Sequence, residues 1–174
     1  MRGGSSYAGG MKLGDEVTVH MNATPQQVWD LVSDVTQIGR YSPETFEAEW
    51  LDGATGPAVG ARFRGHVKRN QKGPTYWSKC YVTECEPGRV FAFGVGEPGK
   101  ALISWGYRLA PGANGGTDVT EYFELTPRLP MKIYWGLMGW SRGKTNRNGM
   151  QTTLERIKTT VESGSLGGDH FQPH

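Results

Sequence analysis

Glu16-Val-Thr-Val-His-Met-Asn-Ala-Thr-Pro-Gln-Gln-Val-Trp-Asp-Leu-Val-Ser-Asp-Val35 changes its hydrophobic rhythm partway along. The first six residues alternate apolar and polar, which predicts a half-buried strand over 16–21. A helix start signal follows. Thr24 can cap, Pro25 suits the first helical position, and Gln27 completes a capping box three residues on. Val28, Leu31, Val32 and Val35 then recur at helical spacing and form a buried stripe. Gly39 and Ser42-Pro43 close the segment, with room for a second short helical turn.

Outward from there, strand and turn signals run to residue 126. Phe46, Ala48 and Trp50 alternate with Glu47 and Glu49. Phe63, Gly65 and Val67 alternate with Arg62, Arg64, His66 and Lys68, a basic row expected on a solvated outer face. Further strands read over Tyr76–Glu84, Arg89–Val95, Leu102–Leu109 and Asp118–Leu125, separated by Gly/Pro turns. Short strands joined in this way predict an antiparallel meander with one wet face. Met150, Leu154, Ile157 and Val161 restore helical spacing, so a long C-terminal helix is expected within 131–162. Gly136, Gly139, Gly143 and Gly149 weaken its first half, each by about 1 kcal/mol relative to alanine, and predict a kink or a close approach there. A one-faced sheet must cover its apolar side, and this helix is the only element large enough to do so.

Composition narrows the classes of function. The chain has 174 residues, 36% hydrophobic and 21% charged, with a net charge of +2. That is one globular domain, with no basic bias toward nucleic acid. Residues 1–14 and 163–174 read as flexible tails around a single domain at 15–162. The opening MRGGSSYAGG lacks a signal-peptide core, and no run is long enough to span a membrane. Cys80 and Cys85 stand at an odd separation, which puts them on opposite faces of one strand and argues against a disulfide. A reducing, cytoplasmic setting is therefore expected. Without export, the acceptor triplet Asn22-Ala23-Thr24 stays unglycosylated.

Several stretches carry a resemblance. Val17-Thr-Val-His-Met21 with Ala23-Thr-Pro-Gln-Gln-Val-Trp-Asp-Leu-Val-Ser-Asp-Val35 resembles the start of many START-like proteins of the polyketide cyclase/dehydrase and lipid transport (SRPBCC) superfamily. Val82-Thr-Glu-Cys-Glu-Pro-Gly-Arg-Val-Phe-Ala-Phe93, Gly116-Thr-Asp-Val-Thr-Glu121 and Thr153-Leu-Glu-Arg-Ile-Lys158 resemble it too. The likeness covers roughly 15–162. It implies an α+β helix-grip fold: a curved antiparallel sheet of about seven strands around a long C-terminal helix, with short helices after the first strand. It also implies an internal cavity for lipids, polyketides or other hydrophobic molecules. The fold alone assigns no reaction.

Within such a cavity, parity selects the candidates. Glu121 shares a face with Val119, Phe123 and Leu125, which places a carboxylate on the apolar side. Burial would raise its pKa and suit it to general acid chemistry or to a ligand hydrogen bond. The alternative is a satisfied carboxylate, paired with an arginine or lying at the sheet edge. Trp105 and Tyr107 are expected inward, as are Tyr76, Ser78, Cys80, Phe63 and Val67. Stepping back along the helix from Met150 reaches Asn146 and Arg142, polar groups that could face Glu121. An apolar pocket with a few convergent polar groups is the usual form of a small-molecule site.

Other motifs argue for little. Gly94-Val-Gly-Glu-Pro-Gly-Lys100 matches two phosphate-loop patterns, but a strand follows where a helix is needed, and Pro98 removes a donor. No HExxH, Cys-x-x-Cys or GxSxG motif is present, so neither a metal nor another cofactor is expected. Three functions stay open. The first is binding or transport of a hydrophobic small molecule by a monomer or homodimer. The second is cyclase/dehydratase-type acid–base catalysis through Glu121. The third is transient membrane contact or partner binding through the apolar stretch 131–140.

Overall fold

In a computed structural model, which describes residues 14–126 and 140–165, the opening segment forms as its pattern dictates. β1 spans Gly14–Met21 and α1 spans Pro25–Val32. The capping box is complete: Gln27 N–H donates to Thr24 Oγ1 at 3.2 Å, and Thr24 N–H donates to Gln27 Oε1 at 2.8 Å. A 3-10 turn at Val35–Arg40 follows, capped by Asp34. Val28, Leu31, Val32 and Val35 are all buried. Thr24→Ala removes one arm of the box and is expected to cost about 1 kcal/mol in urea unfolding.

Six strands come next: β2 (Thr45–Trp50), β3 (Arg62–Val67), β4 (Tyr76–Glu86), β5 (Val90–Val95), β6 (Ile103–Pro111) and β7 (Thr117–Leu125). They pair antiparallel with β1 in one sheet ordered β1-β7-β6-β5-β4-β3-β2. The last described element is α2 (Trp140–Ser165). It packs chiefly on β1 and also touches α1 and β7. Met150, Leu154, Ile157 and Val161 form its buried stripe. This is the helix-grip architecture, and the helix runs three residues beyond the expected boundary at 162.

Two parity readings need correction, and bulges are the reason. The register of β4 on β5 shifts between Val82 and Glu84. Cys80 consequently lies opposite Val95, and Cys85 lies opposite Phe91, both on the inner face. One extra residue flips every side chain beyond it, so the two cysteines share a face after all. Both are free thiols. A second shift in β2, between Thr45 and Glu47, turns Phe46 outward. Its ring rests on His66 at 4.3 Å, and it is 46% exposed. Ala48 and Trp50 still face the core.

Helix α2 continues through Gly149 without interruption. A Cβ built there meets nothing within 4 Å, so no neighbour demands glycine. Gly149 borders open space instead, because it faces the cavity described below. Gly149→Ala is expected to stabilise the fold by up to about 1 kcal/mol, read as a rise in thermal midpoint.

Candidate functional site

The inner face of the sheet is hollow where its side chains are small. Gly65 and Ser78 lie opposite each other across β3 and β4, and both line the space. Larger residues on the flanking strands and on α2 enclose the space this pair leaves. The resulting cavity has a volume of about 530 Å³, within the range of small-molecule sites. Phe93, Val95, Ile103, Trp105 and Leu125 supply apolar wall, and Met150 closes it from the helix.

Ten of the expected site residues line this cavity: Phe63, Val67, Tyr76, Ser78, Cys80, Trp105, Tyr107, Glu121, Asn146 and Met150. Phe123 is not a lining residue. It stands behind the wall, fully buried, with its ring 5.1 Å from that of Trp105. The side chain of Arg142 lies outside the described residues, as does the stretch 131–139. Ile38, Ser42 and Thr145 also line the space and were not foreseen. Ile38 and Ser42 sit on and just after the 3-10 turn, where no periodic signal marks an inward face.

Glu121 brings a buried carboxyl to the cavity. An unbroken register across β7 and β6 sets it directly opposite Tyr107. It is 6% exposed. Tyr107 Oη donates to Glu121 Oε1 at 3.2 Å, while Oε2 is buried with no hydrogen-bond partner among the described residues. Among those residues no arginine, lysine or histidine reaches the carboxyl, so its described partner is a phenol. Burial pushes its pKa up to about 8, and the Tyr107 hydrogen bond offsets this only in part. The Tyr107 phenol is itself raised, by burial first and by Glu121 second. Tyr41, also buried, packs edge-on against the Tyr107 ring with centroids 6.5 Å apart. Burial likewise holds the Cys80 thiol up at about 12, which makes it an inert wall residue rather than a nucleophile.

The phosphate-loop pattern resolves into a hairpin connection. Gly96 and Gly99 take φ values of +119° and +74° there, which glycine alone adopts easily, and β6 follows rather than a helix. Glu97 in this connection pairs with Arg62 at 3.0 Å. The basic row of β3 is outside, as expected: Arg64 pairs with Glu49, and His66 with Glu47. No group of metal-ligating side chains occurs among the described residues. No helix among them is long and apolar enough to cross a membrane.

A curved sheet gripping a long helix around a lined cavity defines a helix-grip ligand-binding fold. The family follows from the sequence: a profile of the polyketide cyclase / dehydrase and lipid transport family matches residues 16–162, and the chain belongs to that family. Solved structures agree on the fold. A polyketide-cyclase-like protein from Corynebacterium glutamicum is 26% identical, with 93% of this chain and 99% of that chain covered and a TM-score of 0.59. An AHSA1-like protein from Aeromonas hydrophila is 19% identical, with 92% and 99% covered and a TM-score of 0.55. Protein NE0264 from Nitrosomonas europaea is 11% identical, with 88% and 97% covered and a TM-score of 0.64. No curated protein matches the chain.

Proposed function

We propose that the protein binds, and carries, a hydrophobic small molecule of lipid or polyketide type in this cavity. The observation that supports the reading is the combination of a 530 Å³ space, walls of aliphatic and aromatic side chains, and one buried polar pair at Glu121 and Tyr107. Burial of apolar ligand surface supplies affinity at about 25 cal/mol per Å², and the polar pair supplies orientation. Two free thiols suit the reducing cytoplasm in which such a carrier would work.

Native mass spectrometry after incubation with a lipid and polyketide mixture tests the proposal. A retained hydrophobic ligand is expected, and Ser78→Phe, which puts a ring into the cavity beside Gly65, should abolish retention while the fold persists. Failure of the wild-type protein to retain any component counts against a carrier.

A second reading is favoured by one observation, the carboxyl of Glu121 held near neutrality beside a phenol. That pair could move a proton on a bound carbonyl compound in a cyclase/dehydratase-type reaction. Glu121→Gln would then lose turnover of such a substrate while still binding it. Equal turnover by the variant removes Glu121 from the chemistry.

A further inference from the structure

The polar end of the cavity has a direction. Glu121 Oε1 already accepts a hydrogen bond from Tyr107, and Oε2 is buried with no hydrogen-bond partner among the described residues. In a neutral carboxylic acid arranged this way, Oε1 is the carbonyl oxygen and Oε2 carries the proton. Glu121 lines the cavity, so the neutral group brings one donor to that end and needs one acceptor in return.

The surroundings favour the neutral form. Among the described residues, the titratable groups that interact with the carboxyl are Tyr107 on β6 and Tyr41 beyond the 3-10 turn, and both are phenols. β1 sets Val17 opposite Glu121, and α2 brings Asn146, Met150 and Thr153 to the cavity. Asp34 is a further carboxylate near Tyr41. The cation that lines the cavity among the described residues is Arg69, which follows β3 and binds the Tyr76 hydroxyl through Nε at 2.8 Å. It sits at the opposite end. The register carries Glu121 across Tyr107 and Phe91 to Cys85, and Tyr76 stands nine residues further along β4.

We infer that the cavity takes an uncharged amphiphile whose ketone, ester or amide oxygen enters first and accepts a hydrogen bond from Glu121 Oε2. Carboxylate-headed molecules such as fatty acids are excluded at that end. A carboxylate would be desolvated there with no cation among the described residues to receive it. This selectivity rests on the carrier function proposed above. It adds which headgroup is selected and which way the ligand lies.

Calorimetric titration with methyl nonyl ketone, undecylamine and undecanoate tests it. All three share a chain length and differ in the head. The ketone is expected to bind tightest at pH 7. Its affinity should fall about ten-fold by pH 9, as the carboxyl with a pKa near 8 loses the donated proton. Glu121→Gln keeps an N–H donor and should bind the ketone with no such dependence on pH. The wild-type pH series alone decides the matter if that variant does not fold. Tighter binding of the amine or of the carboxylate overturns the inference, as does ketone binding that ignores pH, and each leaves the carrier function standing. Failure to bind any of the three removes both.

Discussion

Glu121→Gln is expected to hold its folding stability between about pH 5 and pH 8, while the wild-type protein loses roughly 4 kcal/mol over the same range. The carboxyl titrates near 4.5 when exposed and near 8 when folded. Between those values the unfolded chain has released a proton that the folded chain still holds. Rising pH therefore favours unfolding, and the loss levels off above about 8. Glutamine does not ionise in either state and keeps the oxygen that accepts from Tyr107. Glu162 contributes with the opposite sign. Its pKa is lowered, chiefly by the N–H of Asn22, so what it adds is lost only as the solution becomes acid. Urea unfolding at a series of pH values measures the difference directly. Parallel pH profiles for the two proteins would mean that the carboxyl is not held neutral.

Leu154→Ala is expected to destabilise the protein by about 2–5 kcal/mol. Leu154 and Ile157 are wholly buried on the face of α2 that meets the sheet, and neither borders the cavity. Truncation there opens a new void in close-packed surroundings. Met150 offers the contrast. It is equally buried, but its side chain forms cavity wall, so Met150→Ala enlarges an existing space. The helix should therefore tolerate Met150→Ala better than Leu154→Ala in chemical unfolding, while ligand retention shifts more for Met150. Equal costs at the two positions would contradict a hollow beside Met150.

The fold was legible wherever the backbone stayed regular. A capping box, period-two strands and a four-residue apolar spacing in the last helix each report a local preference that packing did not override. Glu121 could be placed for the same reason: β7 pairs with β6 without a shift, so counting by twos from Phe123 and Leu125 lands on the right face. Counting failed at Cys85 and at Phe46, because a bulge inserts one residue and nothing in the local composition announces it. The cavity itself was less legible. The small pair Gly65 and Ser78 becomes part of a hollow only when β3 and β4 bring the two residues side by side. Ile38 and Ser42 reach the site from irregular backbone, which has no period to read.

The sheet order has a consequence for how the chain comes to be folded. β1 is the first strand made, yet its neighbour β7 is the last, with Val17 paired to Glu121 and Val19 to Val119. At translation rates of about 5–20 residues per second, β1 waits on the order of five to twenty seconds for its partner to be synthesised. The meander from β2 to β7 can zip through short hairpins meanwhile. The cavity's acid, carried on β7, is thus buried only in the final stage, when the two ends of the domain meet and the last helix settles over β1. Such long-range closure slows folding relative to a chain held by local contacts alone.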